Sequence, residues 1–271
     1  MASEQVSYVR SGPLGVIRLE RPEALNALSL DMIGLVERYA LEAERDPKVA
    51  AICITGDGRG FCAGIDMSVL AEHARSGPPA RREPAPGRAA RPALFSFLLD
   101  ISKPVIGAVN GVAAGGGFVL AMMCDLRFMS RDASLTTVFG RRGLIAEHGT
   151  SWLLPRMIGL SRALDILFSS RKIDAEEAYR LGLADRLVAP DQLMETVETY
   201  VRDMADTVAP RALAVMKRQV HRHLETDFAE AARESDALMG VALRHPDATE
   251  GAQSFIERRR PNFAPWTGEP E

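Results

Sequence analysis

Cysteine is scarce in this chain of 271 residues. The three present, Cys53, Cys62 and Cys124, stand far apart and form neither a CxxC pair nor a metal-ligand spacing, which argues against a disulfide scaffold and against a bound metal. They read as small core thiols of a protein kept in a reducing compartment, with a cytoplasmic address as the default. Excess positive charge is lacking too. A formal net charge of −3 offers no basic field for a nucleic acid or an anionic membrane surface. A polyphosphate ligand would have to be held by a few local cations and backbone amides. Met1 to Arg10 has no basic stretch followed by an apolar one, so it does not read as a secretory signal. One uncharged run, Pro104 to Cys124, approaches the length of a membrane helix. Pro104, Asn110 and the glycines at 107, 111, 115, 116 and 117 break it in a way a lipid-exposed helix tolerates poorly. A buried strand, a tight turn and a short buried helix suit it better, and no membrane is expected as a partner.

With 46% hydrophobic and 25% charged residues the chain has the composition of an ordinary globular protein. Val16 to Leu19 reads as a strand. Leu28, Met32, Leu35, Val36 and Tyr39 then recur at helical spacing. Ala50 to Thr55 is a short apolar run closed by Gly56-Asp57-Gly58, and Val105 to Val109 is a second, ending at Asn110-Gly111. Both suit strands buried on two faces. A helix ending near Met123 and a strand from Leu126 to Met129 follow. Strands alternating with helices imply parallel units, and ligands collect where such strands end. Glu72 to Pro92, rich in Pro, Arg, Ala and Gly, reads as a loop, either a lid over a ligand or a plain surface insertion. Beyond about residue 160 helices dominate, apart from a strand signal at Ala184 to Val188. Ala209–Val220 and Thr249–Arg260 read as helical, and Phe228, Ala231, Ala232, Ser235, Leu238 and Met239 form one apolar helix face.

Two glycine-bearing strand exits stand out. Gly58 to Asp66 (GRGFCAGID) places small residues before a polar turn, and Asn110 to Gly117 (NGVAAGGG) places them before a helix start, where free N–H groups favour negative charge. Together with Arg21 to Leu28 (RPEALNAL), Lys103 to Gly111 (KPVIGAVNG) and Ala121 to Asp125 (AMMCD), these blocks resemble the enoyl-CoA hydratase/isomerase, or crotonase, family over nearly the whole chain. The resemblance implies an α/β spiral of ββα units with a helical C-terminal trimerisation region. It implies a core over 1–200 with the acyl-CoA site, and C-terminal helices over 201–271 packing on the core and a neighbouring subunit. It also implies that Ile65 and Gly116 supply two N–H donors to the carbonyl oxygen of a coenzyme A thioester, where preorganised donors stabilise enolate charge. Glycine at 116 would let the backbone approach closely. Glu23, Ala24 and Leu25 would line the coenzyme A path with Ala63. Phe255 and Arg258 would reach it from a neighbour, Arg258 pairing with phosphate, although without the family the run Arg258 to Arg260 reads as a solvated helix end. Asp66 falls in the same substrate-lining set, yet on its own chemistry it reads first as structural, as does Asp125.

The chain departs from the hydratase pattern at two positions. Val119 and Phe139 stand where hydratases of the family resemble one another in carrying glutamates. Hydration needs a base for water and an acid for C2, and neither residue can serve. One acid remains nearby: Glu147, in Gly143 to Thr150 (GLIAEHGT). Its place resembles that of the catalytic glutamate of Δ3,Δ2-enoyl-CoA isomerases. Moving a double bond from C3 to C2 needs one base, and Val119 and Phe139 would keep water from the dienolate. The other reading of Glu147 is a charge at the start of the next helix, and adjacent His148 could assist it. The favoured function is thus 3-enoyl-CoA isomerisation. A hydratase using Glu147, alone or with His148, and an acyl-CoA-binding protein without chemistry stand as alternatives. The thioester is the substrate, no covalently bound cofactor is implied, and a homotrimer or dimer of trimers is expected.

Overall fold

The computed structural model describes residues 5–77 and 93–266. Each of the first units contributes two strands and then a helix; β1 and β2 stay in one sheet, and in the units that follow the two strands go to different sheets. The strands β1 (Val6–Ser11) and β2 (Leu14–Leu19) precede α1 (Leu30–Arg45). Next come β3 (Ala51–Gly56), β4 (Gly60–Cys62) and α2 (Met67–Ser76), then β5 (Val105–Val109), β6 (Val112–Ala114) and α3 (Gly116–Met123). β7 (Leu126–Ser130) and β8 (Ser134–Thr136) lead through a short 3-10 turn to α4 (Thr150–Ile158) and α5 (Leu160–Ser169). β1, β2, the first strands of the later units and β10 build a sheet in the order β1-β2-β3-β5-β7-β10. The second strands build another in the order β4-β6-β8-β9, with β9 (Ile173–Asp174) and β10 (Arg186–Val188) added from beyond α5. Two sheets fed alternately by successive units are the expected spiral rather than a doubly wound single sheet.

The larger sheet is parallel except for β1, which pairs antiparallel with β2. Register places Val16 opposite Cys53 and Cys53 opposite Ile106. Because successive side chains point to opposite faces, Ile52 and Ile54 join Met32, Val36 and Ala40 of α1 in one core layer. Ala51 and Cys53 join Val197 and Val201 of α7 (Leu193–Thr207) in another. Both faces are covered, which is why β3 and β5 read as unbroken apolar runs. The expected boundary at residue 200 falls inside α7, whose apolar side is part of this second layer.

The uncharged run Pro104 to Cys124 is β5, β6 and α3, the last an eight-residue helix buried on every side. Among the described residues no helix is long and apolar enough to cross a membrane. The expected loop needs correction at its start. α2 runs through Glu72 to Ser76, because nothing in that stretch breaks a helix before Gly77-Pro78. Residues 78–92, the rest of the suggested lid, lie outside the described residues. At the other end of the chain come α6 (Ala175–Leu181), α8 (Pro210–His223), α9 (Phe228–Ala242) and α10 (Pro246–Ile256). No residue of α9 is fully buried.

Candidate active site

The two strand exits are stitched together through the turn at Pro22–Ala24. Asn26, fully buried and left-handed, accepts the Arg21 N–H at 2.8 Å and donates from Nδ2 to Asp57 O at 2.9 Å and Gly60 O at 2.8 Å. Asn110 donates to Gly58 O and Gly60 O and accepts the Gly56 N–H at 3.1 Å. These two amides hold the β3–β4 corner from both sides. Backbone bonds then join Ala63 N to Leu25 O (2.9 Å), Leu28 N to Gly64 O (2.7 Å) and Asp66 N to Leu28 O (3.0 Å). The expected ligand-lining residues Glu23, Ala24, Leu25, Ala63 and Asp66 are therefore brought together.

Ile65 sits in this stitching as an isolated parallel bridge with Leu28. The bonds of that bridge run through Gly64 and Asp66, so the N–H of Ile65 faces away from Leu28 and meets no acceptor among the described residues. Gly116 opens α3, so its N–H has no acceptor within the helix. A Cβ built on Gly116 would lie 3.4 Å from Ile65 N, and one on Gly64 would lie 3.1 Å from Gly116 N. Two unpaired amides thus sit side by side at the exits of two strands.

The close backbone approach is one residue beyond the expected one. At Gly116 a Cβ meets ordinary contacts, whereas at Gly117 it would fall 2.0 Å from Cys62 O. Gly117 is what lets α3 press against β4. Gly64 is also required, with φ 95 and a Cβ that would meet Ala114 O at 2.6 Å. Cys62, beside Ala63, is no nucleophile, since burial pushes its thiol up to about 12.

Asp66 has structural work. It accepts from Ser68 N (3.1 Å) and Oγ (2.8 Å), capping α2, and pairs with Arg21 at 3.2 Å. The Ser68 bonds first, then Arg21, hold its carboxyl below the usual range. Asp125 accepts Val105 N at 2.7 Å and pairs with Lys217 of α8 at 2.6 Å, which ties the helical region to the core. Burial would push the Asp125 carboxyl up, but Lys217, His221 and the Val105 N–H outweigh it and hold it down.

Val119 and Phe139 are both buried, at 0% and 2% exposure, in the main core layer. Glu147 is partly exposed and stands ahead of α4. Its side chain does not cap that helix. The N-cap is Gly149, and what Glu147 gives Thr150 is its carbonyl, which accepts Thr150 N at 3.1 Å and Oγ1 at 2.7 Å. Its carboxylate faces His148 Nε2 at 3.6 Å. Among the described residues no group of three His, Cys, Asp or Glu gathers to hold a metal. Phe255, near the end of α10, and Arg258, two residues past it, lie in solvent, and no bond among the described residues joins them to the Ile65–Gly116 corner. Arg259 is paired with Glu250 and Glu257, and Arg260 with Asp206. Arg258 has no acidic partner among the described residues. The roles of Asn26, Asn110 and Leu94, whose N–H donates to His148 Nδ1 at 3.2 Å, were not foreseen from sequence. The two asparagines stood inside the motif blocks, while Leu94 gave no signal.

The enoyl-CoA hydratase/isomerase family model matches residues 10–265. The crotonyl-CoA hydratase of Syntrophomonas wolfei is 32% identical over 265 residues, covering 97% of this chain and 99% of that protein. The 1,2-epoxyphenylacetyl-CoA isomerase of Escherichia coli is 32% identical over 265 residues, with 95% and 97% covered. Among solved structures, an enoyl-CoA hydratase subunit from Geobacillus kaustophilus superposes with a TM-score of 0.83 at 30% identity, covering 96% of this chain and 98% of that one. An enoyl-CoA hydratase from Mycobacterium tuberculosis gives a TM-score of 0.84 at 26% identity, with 96% and 98% covered. The ββα spiral, the paired glycine exits and these likenesses agree: the chain belongs to the enoyl-CoA hydratase/isomerase family and is a crotonase-fold enzyme.

Proposed function

We propose that the enzyme isomerises 3-enoyl-CoA thioesters to 2-enoyl-CoA. The observation that carries this is the single carboxylate ahead of α4, Glu147, with buried Val119 and Phe139 at the two positions where a hydratase needs acids. The thioester carbonyl is held by the N–H groups of Ile65 and Gly116. Glu147 takes a proton from C2, and the electron pair of that C–H bond moves through the thioester onto its oxygen, giving a dienolate. The two N–H groups stabilise that oxygen by a few kcal/mol each. Collapse of the dienolate takes the same proton from Glu147 at C4, leaving the double bond between C2 and C3. Water takes no part, and a single base suffices.

Glu23, Ala24, Leu25 and Ala63 line the coenzyme A path in this reading. Phe255 and Arg258 serve a neighbouring copy's site, a role supported by the exposure of Phe255 and by Arg258 having no acidic partner among the described residues beside two paired arginines. The exposed apolar residues Phe228, Met239, Phe255 and Ile256 support a homotrimer or dimer of trimers, which sedimentation at micromolar concentration would test. A second reading, hydration of 2-enoyl-CoA, is favoured by the naming of relatives such as the Syntrophomonas protein as hydratases. Incubation with a 3-enoyl-CoA and, separately, a 2-enoyl-CoA distinguishes them. Conjugation of the first without water uptake supports isomerisation, and rapid hydration of the second overturns it.

A further inference from the structure

His148 is the polar neighbour of Glu147 that this reaction leaves unused. Its ring is held at one end, where Nδ1 accepts the Leu94 N–H at 3.2 Å. A backbone N–H can only donate, so Nδ1 carries the lone pair and the proton of the neutral ring sits on Nε2. Burial pushes the imidazole below its ordinary value, and the Glu147 carboxylate opposes this only in part, so the neutral form is the one on hand. At the other end Nε2 stands 3.6 Å from Glu147 Oε2. That is just beyond a direct hydrogen bond, and such contacts in active sites tighten when substrate is seated.

We propose that His148 is a positioning residue: anchored through Nδ1 to the Leu94 N–H, it presents Nε2–H to Glu147 Oε2 and leaves Oε1 to face the substrate. The proposal rests on the reading of Glu147 as the base. A base that must serve two carbons in turn depends on orientation, and a free glutamate has three torsions with which to lose it. His148 takes no proton in this role. Its backbone is left-handed, φ 54.

Asn and Gln separate the two contacts. An Asn amide reaches the place of Nδ1, and Asn tolerates positive φ better than most residues, so His148→Asn keeps the Leu94 anchor and drops the Glu147 contact. A Gln amide reaches the place of Nε2, so His148→Gln does the reverse. With 3-hexenoyl-CoA as the probe, His148→Asn should lose ~10-fold or more in kcat with KM and melting temperature little changed, and His148→Gln should recover most of it. Equal kcat in the two variants, or the opposite order, makes His148 structural and overturns the proposal. Glu147→Gln measured alongside separates the failures. Full turnover in that variant sinks the reading of Glu147 itself, whereas lost turnover there with an unimpaired His148→Asn sinks only the positioning role.

Discussion

Adjacent glycines at the start of α3 are assigned different duties, and one methyl group on each separates them. On Gly117 a Cβ would fall 2.0 Å from Cys62 O and 2.7 Å from Cys62 C. Both are backbone atoms, so α3 or β4 must move by more than an ångström. Overpacking of this kind costs typically ~1–3 kcal/mol, and more where backbone must yield. On Gly116 the nearest atoms are at 3.4 and 3.5 Å, and its φ is not left-handed. Alanine there fits, and its better helix propensity offsets part of any loss, so stability should move by less than ~1 kcal/mol. The new methyl nevertheless stands 3.4 Å from Ile65 N, and in the proposed reading it crowds the thioester oxygen that would accept from that N–H at ~2.7–3.1 Å. Gly116→Ala should therefore fold normally and lose ~10²-fold in kcat, the scale of removing one oxyanion donor. Gly117→Ala should lose stability. Circular dichroism melts and steady-state turnover of 3-hexenoyl-CoA on both variants provide the test. Full turnover in a well-folded Gly116→Ala would refute the placement of the oxyanion between these amides.

Asn26 satisfies three backbone groups from a buried, left-handed position. Asn26→Ala leaves the part-buried Arg21 N–H and Asp57 O without that partner; a fully buried group left unpaired costs ~1–3 kcal/mol, so urea unfolding should show a loss of about 2 kcal/mol. For Asp125, the folded state holds the carboxyl below its ordinary value. Its contribution to stability is thus complete above about pH 4 and fades as pH falls through the lowered value. Asp125→Asn should melt lower at neutral pH and lose less further stability on acidification than the unaltered protein.

What could be read without coordinates follows from how strongly each element is written. β5 and the end of α3 match expectation because an apolar run closed by Asn110-Gly111 and a helix closed before Asp125 carry their own boundaries. β4, β6 and β8, three residues each, are too short for any periodicity, so the second sheet was implied only through the family resemblance. The end of α2, Glu72 to Ser76, reads as loop because a Pro-, Arg-, Ala- and Gly-rich composition taken over 72–92 is set by the residues from Gly77 onward. α9 reads as amphipathic, and Ala231, Ala232, Ser235 and Leu238 of its apolar face are half-buried, yet Phe228 at its start is 88% exposed, with no cover among the described residues. At the site, Gly64 and Gly116 stand 52 positions apart and meet through packing that their motifs only hint at. The Leu94–His148 bond spans 54 positions and has no sequence signal, since any residue but proline can offer a backbone N–H.

The central claim, that Glu147 is the base of an isomerase, is tested most directly by Glu147→Gln assayed for both turnover and melting temperature. Gln keeps the size of the side chain and removes its basicity. The account predicts a fall of ~10²-fold or more in conversion of 3-enoyl-CoA to 2-enoyl-CoA, the scale of general base catalysis. The melting temperature should change little, because the Glu147 side chain caps no helix and its carbonyl, which holds Thr150, is untouched. Unchanged turnover in Glu147→Gln would contradict it.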